Sequence, residues 1–182
     1  MKKISIAVSN SEPLIHLSQI ESFDVLNIVK NIYITQEVFD EICSFNLPGN
    51  REVRKSKLIE AKNLKDKSKD LSKLISEKYS LDLGESTSIA LAKQEKIRLF
   101  LTDDLSARII AREFRLEVHG TIGIILRAFR LSLITEKRTI GLIQDLHKKS
   151  SIFITTDLVN YVTKEIRKFS SNAVLPKVFQ NK

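Results

Sequence analysis

Short apolar runs separated by helix-like segments most constrain how this chain can fold. Four runs are rich in β-forming residues (4–8, 32–34, 99–101 and 116–118), and the chain between them has helical periodicity. Parallel strands need a long crossover connection, usually a helix, so the alternation predicts an α/β fold around a short, mainly parallel sheet. Sites in such sheets form at the carboxyl ends of the strands, where we expect the residues after these runs to converge.

Length and composition exclude several classes of protein. The 182 residues suit one ordinary domain, and the 42% hydrophobic content excludes a disordered chain. The single cysteine, Cys43, excludes a disulfide framework and fits a reducing compartment. No apolar run approaches the roughly 18–20 residues of a membrane span. We therefore expect a cytoplasmic protein with no membrane partner.

The formal net charge of +8 is concentrated in two stretches. Residues 51–78 contain ten Lys and Arg against five acids, and residues 164–182 contain five against one. This excess favours a polyanionic partner such as nucleic acid. The alternative is a solvated pair of helices that keeps the chain soluble, because the apolar spacing of residues 53–64 and 71–75 predicts two amphipathic helical pieces.

Polar residues with oxygen side chains follow the predicted strands. Carboxylates that meet in one crevice repel each other unless a cation neutralises them, and oxygen ligands favour Mg²⁺ or Mn²⁺ over zinc. The candidates are Asn10 and Glu12 after the first strand, Glu41 in the helix after the second, Glu85 at the start of the central helix, and Asp103 and Asp104 after the third.

Each candidate also has a structural interpretation. Glu85 suits the first turn of a helix, where the helix dipole favours an acid. Asp103 or Asp104 suits a helix N-cap, and Arg108 suits an ion pair with a neighbouring acid. The candidates point to function only as a set at the predicted strand ends.

Four segments resemble motifs of one known family. Residues 7–15 (AVSNSEPLI) resemble the opening motif of PIN-domain ribonucleases. Residues 81–92, 101–108 and 119–125 resemble the LDxGE…AIALA, LTDDxxAR and GTxGxL segments of an archaeal and bacterial subfamily, which includes VapC-type toxins. The motifs occur in the family's order. The lysine-rich stretch 51–78 matches least.

The resemblance implies a PIN-like three-layer α/β/α fold with a short, mainly parallel sheet. The PIN-like domain would span residues 1–134, with a lysine-rich helical insertion at about 51–78. Residues 135–182 would form a helical extension packed on the same domain. The resemblance implies a metal-dependent endoribonuclease that leaves a 5′-phosphate and a 3′-hydroxyl and is the toxin of a VapBC-type toxin–antitoxin pair. A small antitoxin partner and a homodimer are expected on the same ground.

The resemblance also implies a ligand set for Mg²⁺ or Mn²⁺. Where the family usually has an aspartate, this chain has Asn10, which offers a carbonyl oxygen and no charge. We hypothesise that Glu12, two residues further on, fills this role. The implied ligands are Asn10, Glu41, Glu85, Asp103 and Asp104, with Glu41, Glu85 and Asp104 catalytic and Thr102 and Ser11 supporting.

Basic side chains are the expected RNA contacts, since phosphate contacts supply most non-specific affinity. The candidates are Lys55, Lys57, Lys62, Arg108 and Arg112. Two other functions remain open on the sequence. The first is a PIN-like module that binds RNA or protein but cleaves weakly, because Asn10 lacks the charge of an acid. The second is a structural dimer with a solvated basic arm.

Overall fold

A five-stranded parallel sheet forms the centre of the computed structural model, which describes residues 4–174. The strands are β1 (Ile4–Ser9), β2 (Val29–Thr35), β3 (Ile59–Lys62), β4 (Leu99–Leu101) and β5 (Glu117–His119). Their spatial order is β3-β2-β1-β4-β5, and every pair is parallel. The predicted α/β fold class is confirmed.

Helices connect the strands and cover both faces of the sheet. The described range contains α1 (Ser11–Gln19), α2 (Gln36–Ser44), α3 (Asn50–Lys55), α4 (Asp66–Tyr79), α5 (Leu83–Gln94), α6 (Leu105–Glu113), α7 (Thr121–Arg130), α8 (Glu136–Lys149) and α9 (Thr156–Val174), with a 3₁₀ helix at Phe23–Ile28. Within residues 4–174, no helix combines the length and the apolar character needed to cross a membrane.

Alternating strand side chains separate the interior into two hydrophobic cores. Ala7, Leu99 and Leu101 point into a core shared with α1, α2 and α7–α9. Val8 and Phe100 point into a second core shared with α4–α6. Successive side chains of a strand face opposite sides of a sheet, so the pattern produces three layers, as expected of a PIN-like fold.

The chain reverses its direction across the sheet between β1 and β4. From β1 it proceeds to β2 and β3 on one side, then returns through α4 and α5 to β4 on the other side. The carboxyl ends of the two central strands lie together, with Ser9 in register with Leu101. This is the topological switch point, where open parallel sheets form their crevices.

The lysine-rich segment differs from its prediction as two helices. It contains α3, then β3, then α4, and Ile59 belongs to the strand. Strand β3 extends the sheet beyond β2, with Ile32 in register with Ile59 and Thr35 with Lys62. A four-residue strand is too short for its apolar spacing to be distinguished from a helical turn, and pairing with β2 decides its conformation.

The C-terminal part is helical, as predicted, with different boundaries. Helix α8 begins at Glu136, because the Thr135 hydroxyl caps it by accepting from the Arg138 amide at 3.2 Å. Residues 152–154, between α8 and α9, form no strand. The rings of Phe129 in α7 and Phe169 in α9 pack edge to face with their centroids 5.5 Å apart, so α9 packs on the domain. Residues 175–182 of the predicted extension lie outside the described range.

Candidate metal centre

Two of the predicted site residues cap helices at the carboxyl edge of the sheet. Asn10 caps α1, and its Oδ1 accepts from the Glu12 amide at 3.3 Å. Asp104 caps α6, and its Oδ1 accepts from the Ala107 amide at 2.6 Å. Free amides and the helix dipole make a helix N-terminus favourable for negative groups. Capping therefore explains part of why polar side chains collect here.

A third capping group was missed from the sequence. Asp82 caps α5 and forms a reciprocal capping box with Glu85: the Glu85 amide donates to Asp82 at 2.9 Å, and the Asp82 amide donates to Glu85 at 3.2 Å. The signal was present in the printed sequence, because an acid three residues before a glutamate is typical of a capping box. The structure thus adds Asp82 to the acids at this edge.

A hydrogen-bond network joins β1, α2 and the end of β4. Asn10 is 3% exposed, and its Nδ2 donates to Thr102 Oγ1 at 3.2 Å. The Ser11 hydroxyl lies 3.0 Å from Asn10 Oδ1 and 2.9 Å from Glu41 Oε1, so its single proton is shared between two acceptors. Ser11 thus contacts both Asn10 and Glu41, and Thr102 contacts Asn10; their supporting role in a metal site stays a prediction.

Glu41 faces α5 across a small gap. Burial raises the pKa of its carboxyl group, the hydrogen bond from Ser11 lowers it, and repulsion from Asp82 raises it. A Cβ at Gly84 would lie 3.2 Å from Glu41 Oε2, so the glycine lets this carboxylate approach the start of α5. Glu41 and Asp82 are therefore neighbours with the same charge.

Glu85 has the most perturbed acid–base behaviour at this edge. Burial raises its pKa to about 7, and repulsion from Asp82 and then Asp104 adds to the effect. The group is consequently near the midpoint of its titration at neutral pH. A carboxyl group has a pKa raised this far when burial and neighbouring negative charges outweigh any positive charge close to it.

Glu12 completes the set of acids. Its Oε2 is buried and has no hydrogen-bond partner within residues 4–174. Burial raises the pKa of its carboxyl group, Asp103 raises it further, His16 lowers it and Asp104 raises it. We use "acidic crevice" for the space at the carboxyl ends of β1 and β4 that is bounded by Glu12, Glu41, Glu85 and Asp104.

Asp103 is placed differently from its neighbour Asp104. Its carboxylate lies 2.9 Å from His16 Nδ1, accepts from the Thr121 amide at 2.8 Å and also accepts from the Thr121 hydroxyl. Both of its oxygens are therefore engaged by protein groups that join α1, β4 and α7. Sequence reasoning missed His16 and Thr121. The only signals were that His16 lies one turn after Glu12 and that Thr121 directly follows Gly120.

The donor chemistry of the acidic crevice fits a hard divalent cation. Its donors are carboxylate oxygens, which suit Mg²⁺ or Mn²⁺, and one of them, Glu12 Oε2, has no hydrogen-bond partner in the part of the chain that the structure describes. In the described part of the chain, no group of three or more His, Cys, Asp and Glu side chains is arranged to hold a metal ion. Since unneutralised carboxylates repel one another, coordination would require these side chains to rotate inward.

The predicted RNA-binding residues occupy two regions. Arg108 lies beside Asp103: a Cβ at Gly120 would be 2.5 Å from the Asp103 carboxylate and 3.2 Å from the Arg108 guanidinium. No ion pair of Arg108 occurs among the described residues, and Arg112, one turn further along α6, is exposed.

The lysine candidates lie further from the acids. Lys55 and Lys57 precede β3, so they lie toward the amino ends of the strands, away from the acidic crevice. Lys62 ends β3 at the carboxyl edge, two strands from β1. It pairs with Glu60 and stacks over the Tyr33 ring at 4.6 Å.

Comparison with protein families identifies one match. A family described as the PIN domain matches residues 6–168. The chain belongs to the PIN-domain family. PIN domains are in general metal-dependent nucleases, so this membership suggests nuclease activity. Comparison with curated proteins and with solved structures found no match.

The PIN-domain match includes the segment that resembled the family least. Residues 51–78 lie inside the matched range, which also continues through α8 into α9. The acidic crevice lies at the switch point of the matched fold, and its acids come from α1, α2, α5 and the start of α6. The division of the chain at residue 134 and the individual site assignments stay predictions.

Gly120→Ala is expected to destabilise the protein by roughly 1–3 kcal/mol, because the new Cβ would overlap an Asp103 carboxylate that three contacts hold in place. Urea denaturation measures the change. Gly141→Ala is the matched control, because no atom lies within 4 Å of its Cβ position and alanine favours the interior of α8 by about 0.5–1 kcal/mol. Equal urea midpoints for Gly120→Ala and Gly141→Ala would contradict the close packing of Asp103 against Gly120.

The raised pKa of Glu85 predicts a pH-dependent stability. The folded protein holds this proton up to about pH 7, whereas the ordinary value is 4.5, so stability is lost as pH rises through that window. Glu85→Gln removes the titration. The melting temperatures of the two proteins are measured in the presence of a metal chelator. The value for the variant minus that for the unsubstituted protein should rise between about pH 4.5 and 7 and stay constant above pH 7. A constant difference at all pH values would show that Glu85 ionises normally.

Proposed function

We propose that this protein is a Mg²⁺- or Mn²⁺-dependent endoribonuclease and the toxin of a VapBC-type toxin–antitoxin pair in the cytoplasm. The carrying observation is the acidic crevice. Its four acids come from four different helices to the switch point of a PIN-domain sheet, and three of them have raised pKa values. Such an uncompensated cluster is costly to folding, which favours a functional reason for it.

Glu41, Glu85 and Asp104 would hold the cation. When bound, a divalent cation lowers the pKa of a water molecule and neutralises charge on the scissile phosphate. The hydroxyls of Ser11 and Thr102 support this set, because Ser11 contacts Glu41 and Thr102 accepts from the Asp104 amide at 3.2 Å.

The side chains of the chain itself supply orientation and negative charge. Glu41 or Asp104 orients the attacking water toward the phosphorus. The pKa of Glu85 is raised to about 7 in the metal-free protein, and a bound cation would lower it and keep Glu85 ionised as a ligand. Cleavage of the P–O3′ bond leaves a 5′-phosphate, and the 3′ oxygen takes up a proton.

Arg108 is the basic residue best placed to hold the RNA backbone. It lies beside Asp103 at the edge of the acidic crevice and has no ion-pair partner among the described residues. Arg112 extends the same helix face by one turn. Lys55, Lys57 and Lys62 are further away, so we propose for them a role in non-specific attraction of RNA, which depends on charge and not on contact with the scissile phosphate.

Partner binding is part of the proposal. Phe45 and Leu83 are 75% and 62% exposed beside Glu41 and Asp82, which supports an antitoxin segment that combines apolar and basic side chains. Phe153 and Tyr161 are 90% and 63% exposed near α9, which supports a homodimer through that face.

A catalytically weakened binding module is the second candidate. It is favoured by Asn10, which brings no charge to the acidic crevice and already bonds to Ser11, Glu12 and Thr102. Salt-sensitive RNA binding without cleavage at any Mn²⁺ concentration would support this candidate over the ribonuclease.

Asp104→Asn tests the proposed activity. Asparagine caps a helix as well as aspartate does, so α6 should persist while the cation loses a charged ligand. We expect Mn²⁺-dependent cleavage of single-stranded RNA to fall by about 100-fold or more. Asp157→Asn, an exposed first-turn acid of α9, is the control and should cleave normally. Equal cleavage by both variants would refute the proposed role of Asp104.

Arg108→Gln tests the proposed RNA contact. Loss of one phosphate contact should weaken RNA binding for all sequences and reduce the slope of log affinity against log salt by about 1. Lys57→Gln removes the same charge near the amino ends of the strands, so its effect at moderate salt should be smaller. Fluorescence anisotropy over a salt series measures both. A larger effect of Lys57→Gln would move the RNA path away from α6.

A further inference from the structure

The side-chain oxygen of Asn10 already faces two protein donors in its present position. Its Oδ1 accepts from the Ser11 hydroxyl at 3.0 Å and from the Glu12 amide at 3.3 Å, and its Nδ2 donates to Thr102 at 3.2 Å. A carbonyl oxygen has two lone pairs, and both are engaged. Asn10 thus joins β1, α1 and β4, and would have to break these bonds to bind a cation.

Glu12 is in the opposite condition. It is the second residue of α1, two positions after Asn10, and its Oε2 is buried without a hydrogen-bond partner among the described residues. A buried carboxylate oxygen without a partner is costly and needs a proton or a cation. This oxygen is therefore an unsatisfied ligand atom at the edge of the acidic crevice.

The charged groups around Glu12 favour a bound cation as the group that neutralises its carboxylate. The carboxylates of Asp103 and Asp104 repel its charge, whereas the backbone amide of Asp104 stabilises it. His16, one turn later on α1, attracts it, but the His16 ring already contacts Asp103 at 2.9 Å. Asp103 is in turn held by Thr121, so it is not free to serve as the neighbouring ligand. Asp104 keeps one carboxylate oxygen that no helix amide uses.

We infer that Glu12, and not Asn10, supplies the first carboxylate of the divalent-cation site, opposite Asp104, while Asn10 and Asp103 position the surrounding elements. This inference rests on the proposed function. In this arrangement Glu12, in the first turn of α1, provides the negative charge that Asn10 lacks. Of the two adjacent acids, Asp103 has a structural role and Asp104 is a ligand.

Mn²⁺ binding to the full chain tests the inference without relying on activity. Free Mn²⁺ is titrated by electron paramagnetic resonance against the unsubstituted protein, Glu12→Gln and Glu37→Gln. Glu37 is the matched control, because it is also the second residue of its helix and also half-buried. We expect Glu12→Gln to weaken Mn²⁺ binding by about tenfold or more, and Glu37→Gln to leave it unchanged.

A rescue variant separates ligation from general disturbance of the fold. Asn10→Asp combined with Glu12→Gln returns a carboxylate to position 10, and we expect it to recover much of the Mn²⁺ affinity that Glu12→Gln loses. Glu12→Asp, which shortens the side chain by one methylene, should bind with intermediate affinity. Thermal melting confirms that each variant is folded.

The possible results distinguish this inference from the function on which it rests. Glu12→Gln that binds Mn²⁺ as tightly as the unsubstituted protein would overturn the inference and leave the ribonuclease proposal intact. No recovery in the double variant, if folded, would also overturn it. An unsubstituted protein that neither binds Mn²⁺ nor cleaves RNA would refute the proposed function, and the inference with it.

Discussion

Parallel pairing of β1 with β4 is the constraint on which the rest of the site depends. Parallel strands place all their carboxyl ends at one edge, and each crossover then begins a helix whose free amides point toward that edge. Asn10 and Asp104 cap two of these helices, and Asp82 caps a third. The polar character of the acidic crevice thus follows partly from the backbone, before any role in chemistry is considered.

The acids at this edge are not equivalent, although they are close in sequence and in space. Asp103 contacts His16 of α1 and Thr121 of α7, and so connects these two helices. Asp104 uses one oxygen to cap a helix, and Glu12 has an oxygen with no hydrogen-bond partner among the residues described. Hydrogen bonding therefore separates structural carboxylates from those that remain available to a cation, a distinction that charge alone cannot make.

Particular elements show where sequence reasoning succeeded and where it failed. Four of the five strands were predicted, because their apolar runs are flanked by turns and helices. Strand β3 was predicted as helix, because four residues carry no decisive periodicity and only the edge of β2 makes them a strand. Asp82 was missed although its capping-box spacing is visible. The contacts of Asp103 with His16 and Thr121 were not predictable, because those residues are distant in sequence.

The sequence by itself determined the α/β class, the carboxyl-edge position of the acids and the family motifs, because strand and helix periodicities and strand-end residues are local properties. Tertiary structure decided which oxygens are occupied. The Asn10 amide donates to Thr102, 92 residues away, while Glu12, two residues after Asn10, has a buried oxygen with no hydrogen-bond partner among the described residues. Burial and hydrogen-bond partners arise only when distant segments pack, and they decide which acid remains free to bind.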